Sequence, residues 1–565
     1  MRLDESRRLT GPNLFSRLPG AICDVEVSPA EQRALIAAWE DVAQRLTETL
    51  GWADSRRFSR QHATGVSLVI SAPIDVLYAA TDVNEAALAI AIAECRDESP
   101  PNWNETVAKL KRLIRDEENP DLLALASAAN DHGVRFLTDD DDTSLGYSAA
   151  ATCWPTRELP NPDAVDWTQH AAATRIPVGL VTGTNGKSTT VRLAASIVAA
   201  ADRVAGVTST DYIRVGDEII DAGDYSGPGG ARQLLRHANT EVALLEVARG
   251  GMLRRGLGVT DADAALITNV AADHLGEYGI HTVAELRDAK FIVRRGLAPE
   301  RPLILNADDA GVVAYAQQLN QQRLVWFSEQ ATNTTVRDHA DAGGTAFVID
   351  DGHLTRCESG EVHRVVAVAD IPVTLGGKAH HNVQNALAAA ALCDALSCDD
   401  AAIREGLIAF SGDNEANPGR GNLFRGRGIQ AIVDFAHNEH GLLAMAQTVA
   451  AMPAKRRLVL MGQAGDRSDE LIEGLTQAAL AAKPDQLVIC QLPGYERGRT
   501  PEAVPALIEA TARAAGMPTT AIHHALSPID GTRFALDWAK DGDLLLILAL
   551  TQRGPCTQMI QRHLG

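Results

Sequence analysis

Three observations predict an α/β fold. From Ile176 onward, short apolar strands alternate with helical stretches. A glycine-rich turn, Gly183-Thr-Asn-Gly-Lys-Ser188, joins one such strand to one such helix. A second alternation of strands and helices starts near Gly412. Strand–helix alternation is the pattern of a parallel sheet with helical crossovers. The organisation expected is a small α+β amino-terminal domain (1–172), a central domain with a parallel sheet (173–411) and a Rossmann-like C-terminal domain (412–565).

Composition agrees with this and excludes several classes. The chain has 565 residues, 45% apolar and 22% charged. At roughly 150 residues per domain, that length suits three or four domains. The formal net charge is -21. Such a charge repels phosphate backbones, so no nucleic-acid partner is expected. The longest aliphatic runs, Ala86–Ala93 and Leu544–Leu550, fall far short of the roughly 18–20 residues that span a bilayer, so no membrane partner is expected either. The charged opening Met1-Arg-Leu-Asp-Glu-Ser-Arg-Arg lacks the apolar core of a secretory signal. Eight cysteines occur without a CxxC pair, which predicts buried reduced thiols in a cytoplasmic protein.

In the amino-terminal domain, Ser28-Pro-Ala-Glu31 reads as a capping box opening a helix to about Leu50, with Gly51 as its stop. Gly65–Ser71 alternates as a strand. Asp82 with Glu85 predicts the start of a second helix through Ala93, and Asn102–Arg115 a third. The acidic run Asp139–Asp142 reads as a solvated loop, and the three prolines of Thr152–Pro162 as a linker. In the central domain, strands are expected at Pro177–Thr182, Val242–Glu246, Ala264–Asn269 and Leu303–Leu305. Helices are expected at Thr189–Ala201, Val283–Arg294 and Asn382–Leu396, with a small strand-rich insertion over Thr345–Leu375. In the last domain, Ala431–Asp434, Leu458–Met461, Gln486–Cys490 and Asp543–Leu550 read as buried strands; no GxGxxG turn accompanies them.

The turn after Val181 is the strongest single signal. Gly183, Thr184, Asn185 and Gly186 let backbone N–H groups face inward, and the helix start adds partial positive charge. Lys187 can then reach the outer phosphates of a nucleotide, and Ser188, followed by Thr189, can offer a hard oxygen to Mg²⁺. The usual P-loop spacing asks for glycine where Val181 stands, so this is a shorter form.

Further segments fit one family in order. They are Gly206-Val-Thr-Ser-Thr-Asp-Tyr212, Gly223-Asp-Tyr-Ser-Gly-Pro228, Glu246-Val-Ala-Arg-Gly-Gly251, Arg254-Arg-Gly-Leu-Gly258, Thr268-Asn-Val270, Asp273-His-Leu-Gly276, Lys290 and Asn306-Ala-Asp-Asp309. Beyond these come His381-Asn-Val-Gln-Asn385, Pro418-Gly-Arg420, Asp434-Phe-Ala-His-Asn438 and Gly465-Asp-Arg-Ser-Asp-Glu470. The set resembles the Mur ligase family, and within it the Mur ligase-like half of cyanophycin synthetases. Leu9-Thr-Gly-Pro-Asn13 also resembles the opening of the first domain of those enzymes.

The resemblance implies an ATP- and Mg²⁺-dependent ligase that joins an amino acid to a carboxylate acceptor, a peptide in the cyanophycin-like case. It implies that Lys187 contacts the outer phosphates, that Ser188, Glu246 and His274 are metal ligands, and that Lys290 is a carbamylated lysine. Asn382 and Asn385 would read adenine, Arg420 would reach the γ-phosphate and Asp434 would bind ribose. By the same resemblance, domain closure completes the site. The likeness leaves room for a homo-oligomer. Two departures stand out. About 172 residues precede the phosphate loop, too few for the ATP-grasp domain of cyanophycin synthetases, so at most one of their two ligations is expected. Phe435 replaces the commoner Tyr, and Glu439 stands where Pro is usual. The competing reading is a non-catalytic nucleotide-binding partner or regulatory subunit of a separate ATP-grasp ligase.

Overall fold

The computed structural model describes residues 1–172 and 176–565. The chain divides into two compact units: Met1–Val270 with His274–Trp326 and Ala390–Ala402, and Ala271–Asp273 with Phe327–Ala389 and Ile403–Gly565. No helix among the described residues is long and apolar enough to cross a membrane. All eight cysteines are free thiols, and Cys153 is exposed rather than buried.

The first unit begins with a four-stranded antiparallel sheet in the order Arg2–Leu9, Gly20–Glu26, Gly65–Ser71, Arg57–His62. The charged opening of the chain is an edge strand here: Arg2 and Asp4 are exposed, as charges on edge strands commonly are, whereas Arg7 is buried and pairs with Asp24 at 2.6 Å. Leu35, Trp39, Val42 and Leu46 of the helix Gln32–Thr49 pack into the same core as Val66, Leu68 and Ile70.

Three local expectations differ from the structure. The Ser28 hydroxyl bonds the Glu31 carboxylate instead of a backbone N–H, so residues 28–31 form a turn and the helix starts at Gln32. The second helix runs Leu77–Cys95, five residues ahead of Asp82. Its first turn is capped by Glu117, whose carboxylate accepts from the N–H groups of Tyr78 at 2.8 Å and Ala79 at 2.6 Å. A cap drawn from another helix leaves no local signature. The stretch expected to be a linker supplies the strand Thr152–Pro155, which completes a small sheet with Phe136–Thr138 and Asp142–Leu145.

The acidic run is exposed at Asp140, Asp141 and Asp142, as expected, but two of its acids are also paired. Asp139 accepts from Arg236 at 2.6 Å, and Asp140 takes both terminal nitrogens of Arg8 at 2.7 and 3.0 Å. A backbone seam lies nearby: the N–H of Thr10 donates to the carbonyl of Arg255 and that of Leu257 to the carbonyl of Pro12, each at 2.7 Å. Gly11 and Gly256 face each other across it. A methyl at Gly256, whose φ is +85°, would sit 2.7 Å from the Gly11 oxygen.

The large sheet of this unit has the order Glu218–Ala222, Tyr212–Val215, Ala205–Thr208, Val242–Glu246, Val178–Thr182, Ala264–Ile267, Leu303–Asn306. The last five are parallel and the first two antiparallel. Val178–Thr182 is central, and the chain leaves it toward both edges. Ligands of open α/β sheets gather at the carboxyl ends of strands at such a switch point.

The second unit holds the insertion as an antiparallel meander, Thr345–Asp350, His353–Glu358 and Glu361–Ala367. Its six-stranded sheet has the order Asn422–Gly426, Ile429–Asp434, Leu544–Leu548, Arg457–Met461, Gln486–Cys490, Ile522–Ala525. All neighbours are parallel except the first pair. Helices cover both faces, with Leu442, Ile472 and Ile508 in one core and Ala535, Cys556 and Ile560 in the other.

Candidate active site

The strand Val178–Thr182 ends in the turn 183–186, and the helix Lys187–Ala200 follows at once. Gly183 has φ +147°, and a Cβ there would lie 1.9 Å from the Thr268 hydroxyl, so only glycine fits. Gly186 caps the helix in the left-handed region. The neighbouring strand end holds the turn in shape. Thr184 N–H donates to the Asn269 carbonyl at 2.9 Å, and Asn185 N–H donates to Asn269 Oδ1 at 3.0 Å. The Asn185 carbonyl accepts from the Thr268 hydroxyl at 2.6 Å and from Asn269 Nδ2 at 3.2 Å. Asn306 and Asp309 brace that strand end in turn: Asn306 Nδ2 donates to the Thr268 carbonyl, and Asp309 accepts from Val270 N–H. One sequence segment, 306–309, therefore acts on a second, 268–270, which acts on the turn.

Lys187 is half-buried, and its Nζ donates to the Thr184 carbonyl at 3.0 Å. Ser188 is buried in the first turn of the helix. Lys290 closes the helix Val283–Lys290, is only 3% exposed, and donates from Nζ to the Gly183 carbonyl at 2.9 Å. Thus the structure brings Gly183, Lys187, Ser188 and Lys290 to one turn.

Glu246 ends the strand beside Val178–Thr182, in register with Val181. It is 2% exposed, and neither carboxylate oxygen has a hydrogen-bond partner. A buried carboxylate without partners is costly unless a cation meets it, so this group fits a metal ligand. His274 has φ +49° and a side chain 44% exposed, with Nδ1 3.6 Å from Glu277. Arg249, three residues past Glu246, is buried and paired with Glu277.

In the second unit, Asn382 lies inside the helix His380–Ala395, which starts two residues ahead of the expected Asn382. Its Nδ2 donates to the Val373 carbonyl at 3.0 Å, and its Oδ1 accepts from Asn385 at 3.1 Å. Burial pushes the neighbouring His381 down to about 4, so it is neutral near pH 7. Asp434 ends the strand Ile429–Asp434 and accepts from the Ala436 N–H at 2.6 Å. Burial raises its carboxyl to about 6, against the opposing pull of that N–H and of the Arg420 charge. Asn438 caps the helix Glu439–Ala451, and Asp469 is engaged by Arg499 at 2.6 Å.

The Asp434 shift carries a pH prediction. The folded carboxyl binds its proton more tightly than the unfolded one, so its contribution to stability falls as pH rises from about 4 through about 6. Asp434→Asn is therefore expected to raise the melting temperature at pH 8 relative to wild type, by the equivalent of about 1 kcal/mol or more, and to leave it unchanged near pH 4. Melting curves at the two pH values decide this; equal shifts at both would refute it.

Known protein families add to the geometry. The family profile described as "Mur ligase middle domain" matches residues 181–393, and "Mur ligase, glutamate ligase domain" matches residues 419–549. The chain belongs to the Mur ligase family. A cyanophycin synthetase of Trichormus variabilis is 38% identical over 334 residues, 59% of this chain and 37% of that one. The chain thus spans well under half of that relative. A UDP-N-acetylmuramoyl-L-alanyl-D-glutamate--2,6-diaminopimelate ligase of Geobacillus kaustophilus is 27% identical, covering 65% of this chain and 72% of its own length. The solved structure of E. coli FolC in complex with DHPP and ADP superposes with a TM-score of 0.51 at 20% identity, covering 68% of this chain and 89% of FolC. That likeness is one of fold. It agrees with the Mur ligase α/β architecture and the Rossmann-like C-terminal sheet described above.

Sequence reading missed Arg7 and Arg60 of the amino-terminal sheet, which meet Tyr278, Gly279 and Glu285 in the stretch between His274 and Lys290. Lone arginines in alternating strands carry no local signal.

Proposed function

We propose that this Mur ligase is an ATP-dependent acid–amino-acid ligase of cyanophycin synthetase-like type, acting in the cytoplasm. It would join an amino acid to a carboxylate acceptor, with release of ADP and phosphate. The observation that carries this reading is the unpartnered buried carboxylate of Glu246 beside a turn that already holds Lys187, Ser188 and Lys290.

The chemistry follows from the poor reactivity of a carboxylate. An acceptor oxygen attacks the γ-phosphorus of ATP, the bond to the β,γ-bridging oxygen breaks, and ADP leaves. The amine of the amino acid then attacks the acyl phosphate, phosphate leaves, and the amine loses a proton. In this reading the backbone N–H groups of 183–188 and the Lys187 ammonium hold the triphosphate tail and offset its charge. Ser188 and Glu246 would hold Mg²⁺, with His274 as a further ligand; bound there, Mg²⁺ supplies charge neutralisation at the phosphates. Lys290, as a carbamate, adds an anionic oxygen. The side-chain amides of Asn382 and Asn385 would read the edge of adenine, Asp434 would bind the ribose and Arg420 the γ-phosphate.

The test is phosphate release by purified protein with ATP, Mg²⁺ and paired libraries of amino acids and acidic peptides. Release is expected only when acid and amine are both present. Binding of ATP with no substrate-dependent release across the library would favour a non-catalytic nucleotide-binding partner instead.

A further inference from the structure

The loop that starts at His274 runs through His281 into the helix Val283–Lys290, so His274 and Lys290 stand at the two ends of one segment. Four residues of the loop have left-handed backbone: His274, Gly276, Tyr278 and Gly279. The two that are not glycine cost roughly 1–3 kcal/mol each, and such geometry persists only where surroundings enforce it.

The amino-terminal domain supplies much of that enforcement. Arg60, on the strand Arg57–His62, donates from Nη2 to the carbonyls of Tyr278 at 3.2 Å and Gly279 at 3.0 Å. Its Nη1 donates to Glu285 Oε1 at 3.3 Å. The other oxygen of Glu285 accepts from the N–H groups of His281 at 2.8 Å and Thr282 at 2.9 Å, part of the capping box that starts the Lys290 helix. Arg7, on the first strand, lies 5.0 Å over the Tyr278 ring. Arg249, three residues past Glu246, is 5.7 Å from the same ring and pairs with Glu277. His62 stacks on His281 at 5.5 Å. A Cβ at Gly279 would lie 2.6 Å from His62 and 2.8 Å from Arg60, so no space separates the two surfaces.

We propose that the amino-terminal domain sets the geometry of the reaction centre, with Arg60 as the positioning residue that fixes the loop of His274 and the helix of Lys290 together. The inference rests on the ligase reading above and assigns residues 1–172 a part in it. Adhesion alone would be served by apolar contacts; burying arginine is expensive unless its fork is used. Burial holds the Arg60 guanidinium below its usual range, against the pull of Glu285. One planar guanidinium here serves two carbonyls and a carboxylate at once, a task a lysine's point charge does poorly. The nucleotide turn 183–186 takes its support from Thr268 and Asn269 instead, so it should not feel the loss of Arg60.

The experiment uses the full chain as wild type, Arg60→Gln and Arg60→Lys. Amide hydrogen exchange is measured without ligands, and Mn²⁺ binding is titrated by electron paramagnetic resonance with ADP present. In Arg60→Gln, amides of 276–290 are expected to exchange about tenfold faster, the loss of one net hydrogen-bonding contribution. Amides of the helix Lys187–Ala200 and ADP affinity without metal stay as in wild type. Mn²⁺ affinity falls about tenfold, as when an outer partner of a metal ligand is removed. Arg60→Lys lies in between, and it carries the test on the same criteria if the glutamine variant does not fold. Unchanged exchange over 276–290 together with unchanged Mn²⁺ affinity overturns the proposal while leaving the ligase reading standing. A wild-type protein that binds no ADP overturns both.

Discussion

Lys187→Ala is expected to lower substrate-dependent phosphate release by at least about a hundredfold, the scale of losing one preorganised charge-stabilising group. The argument is positional. Lys187 is the first residue of its helix, half-buried, with Nζ turned back onto the Thr184 carbonyl of its own turn. In that place, on the proposed reading, an ammonium would meet a triphosphate bound by the turn. The fold should survive, because the bond from this side chain to the Thr184 carbonyl is worth about 1 kcal/mol, while Thr268 and Asn269 hold the turn independently. The check is steady-state phosphate release beside a melting curve. A folded variant with near-normal rate would remove the phosphate-loop assignment.

Lys290→Ala has the second large expected effect and a more particular signature. Lys290 is almost wholly buried, and its Nζ lies against the Gly183 carbonyl, within the same turn as Lys187. A carbamate on this nitrogen would keep one N–H for that carbonyl and would add two oxygens. An alanine loses both, and activity should fall by about two orders of magnitude or more. Acetate or formate at millimolar concentration should restore part of it, because the vacated space admits a small carboxylate. Alanine also removes buried stem contacts, so the variant is compared with Lys290→Met, which keeps the stem and should be rescued less. Failure of every short carboxylate to restore activity, with ¹³C-bicarbonate giving no carbamate resonance in wild type, would refute the modification.

Much of this architecture was legible in the chain before any coordinates. The strand Val242–Glu246 was read to its exact ends because five buried positions in a parallel strand leave an unbroken apolar run closed by one acid. The turn 183–188 was legible because its constraint is local: two glycines in unusual backbone and a lysine at a helix start. What escaped depends on partners far away in sequence. The strand Arg2–Leu9 shows no apolar alternation of its own and pairs as a strand with Gly20–Glu26. The helix at Leu77 begins where Glu117 caps it. Arg60 gains its meaning only from carbonyls more than 200 residues away. The empty valences of Glu246 are likewise invisible in sequence, which shows an acid but not its isolation.

The glycine seam has a practical corollary for protein engineering. Gly11 and Gly256 touch backbone to backbone, with paired amide bonds on either side and no slack for a methyl group. Neither half of that joint can tolerate drift unless the other drifts with it. Grafting the first domain onto a foreign ligase body would therefore misfit unless both strips travel from the same parent, which makes 9–13 and 254–258 a single cassette for recombination.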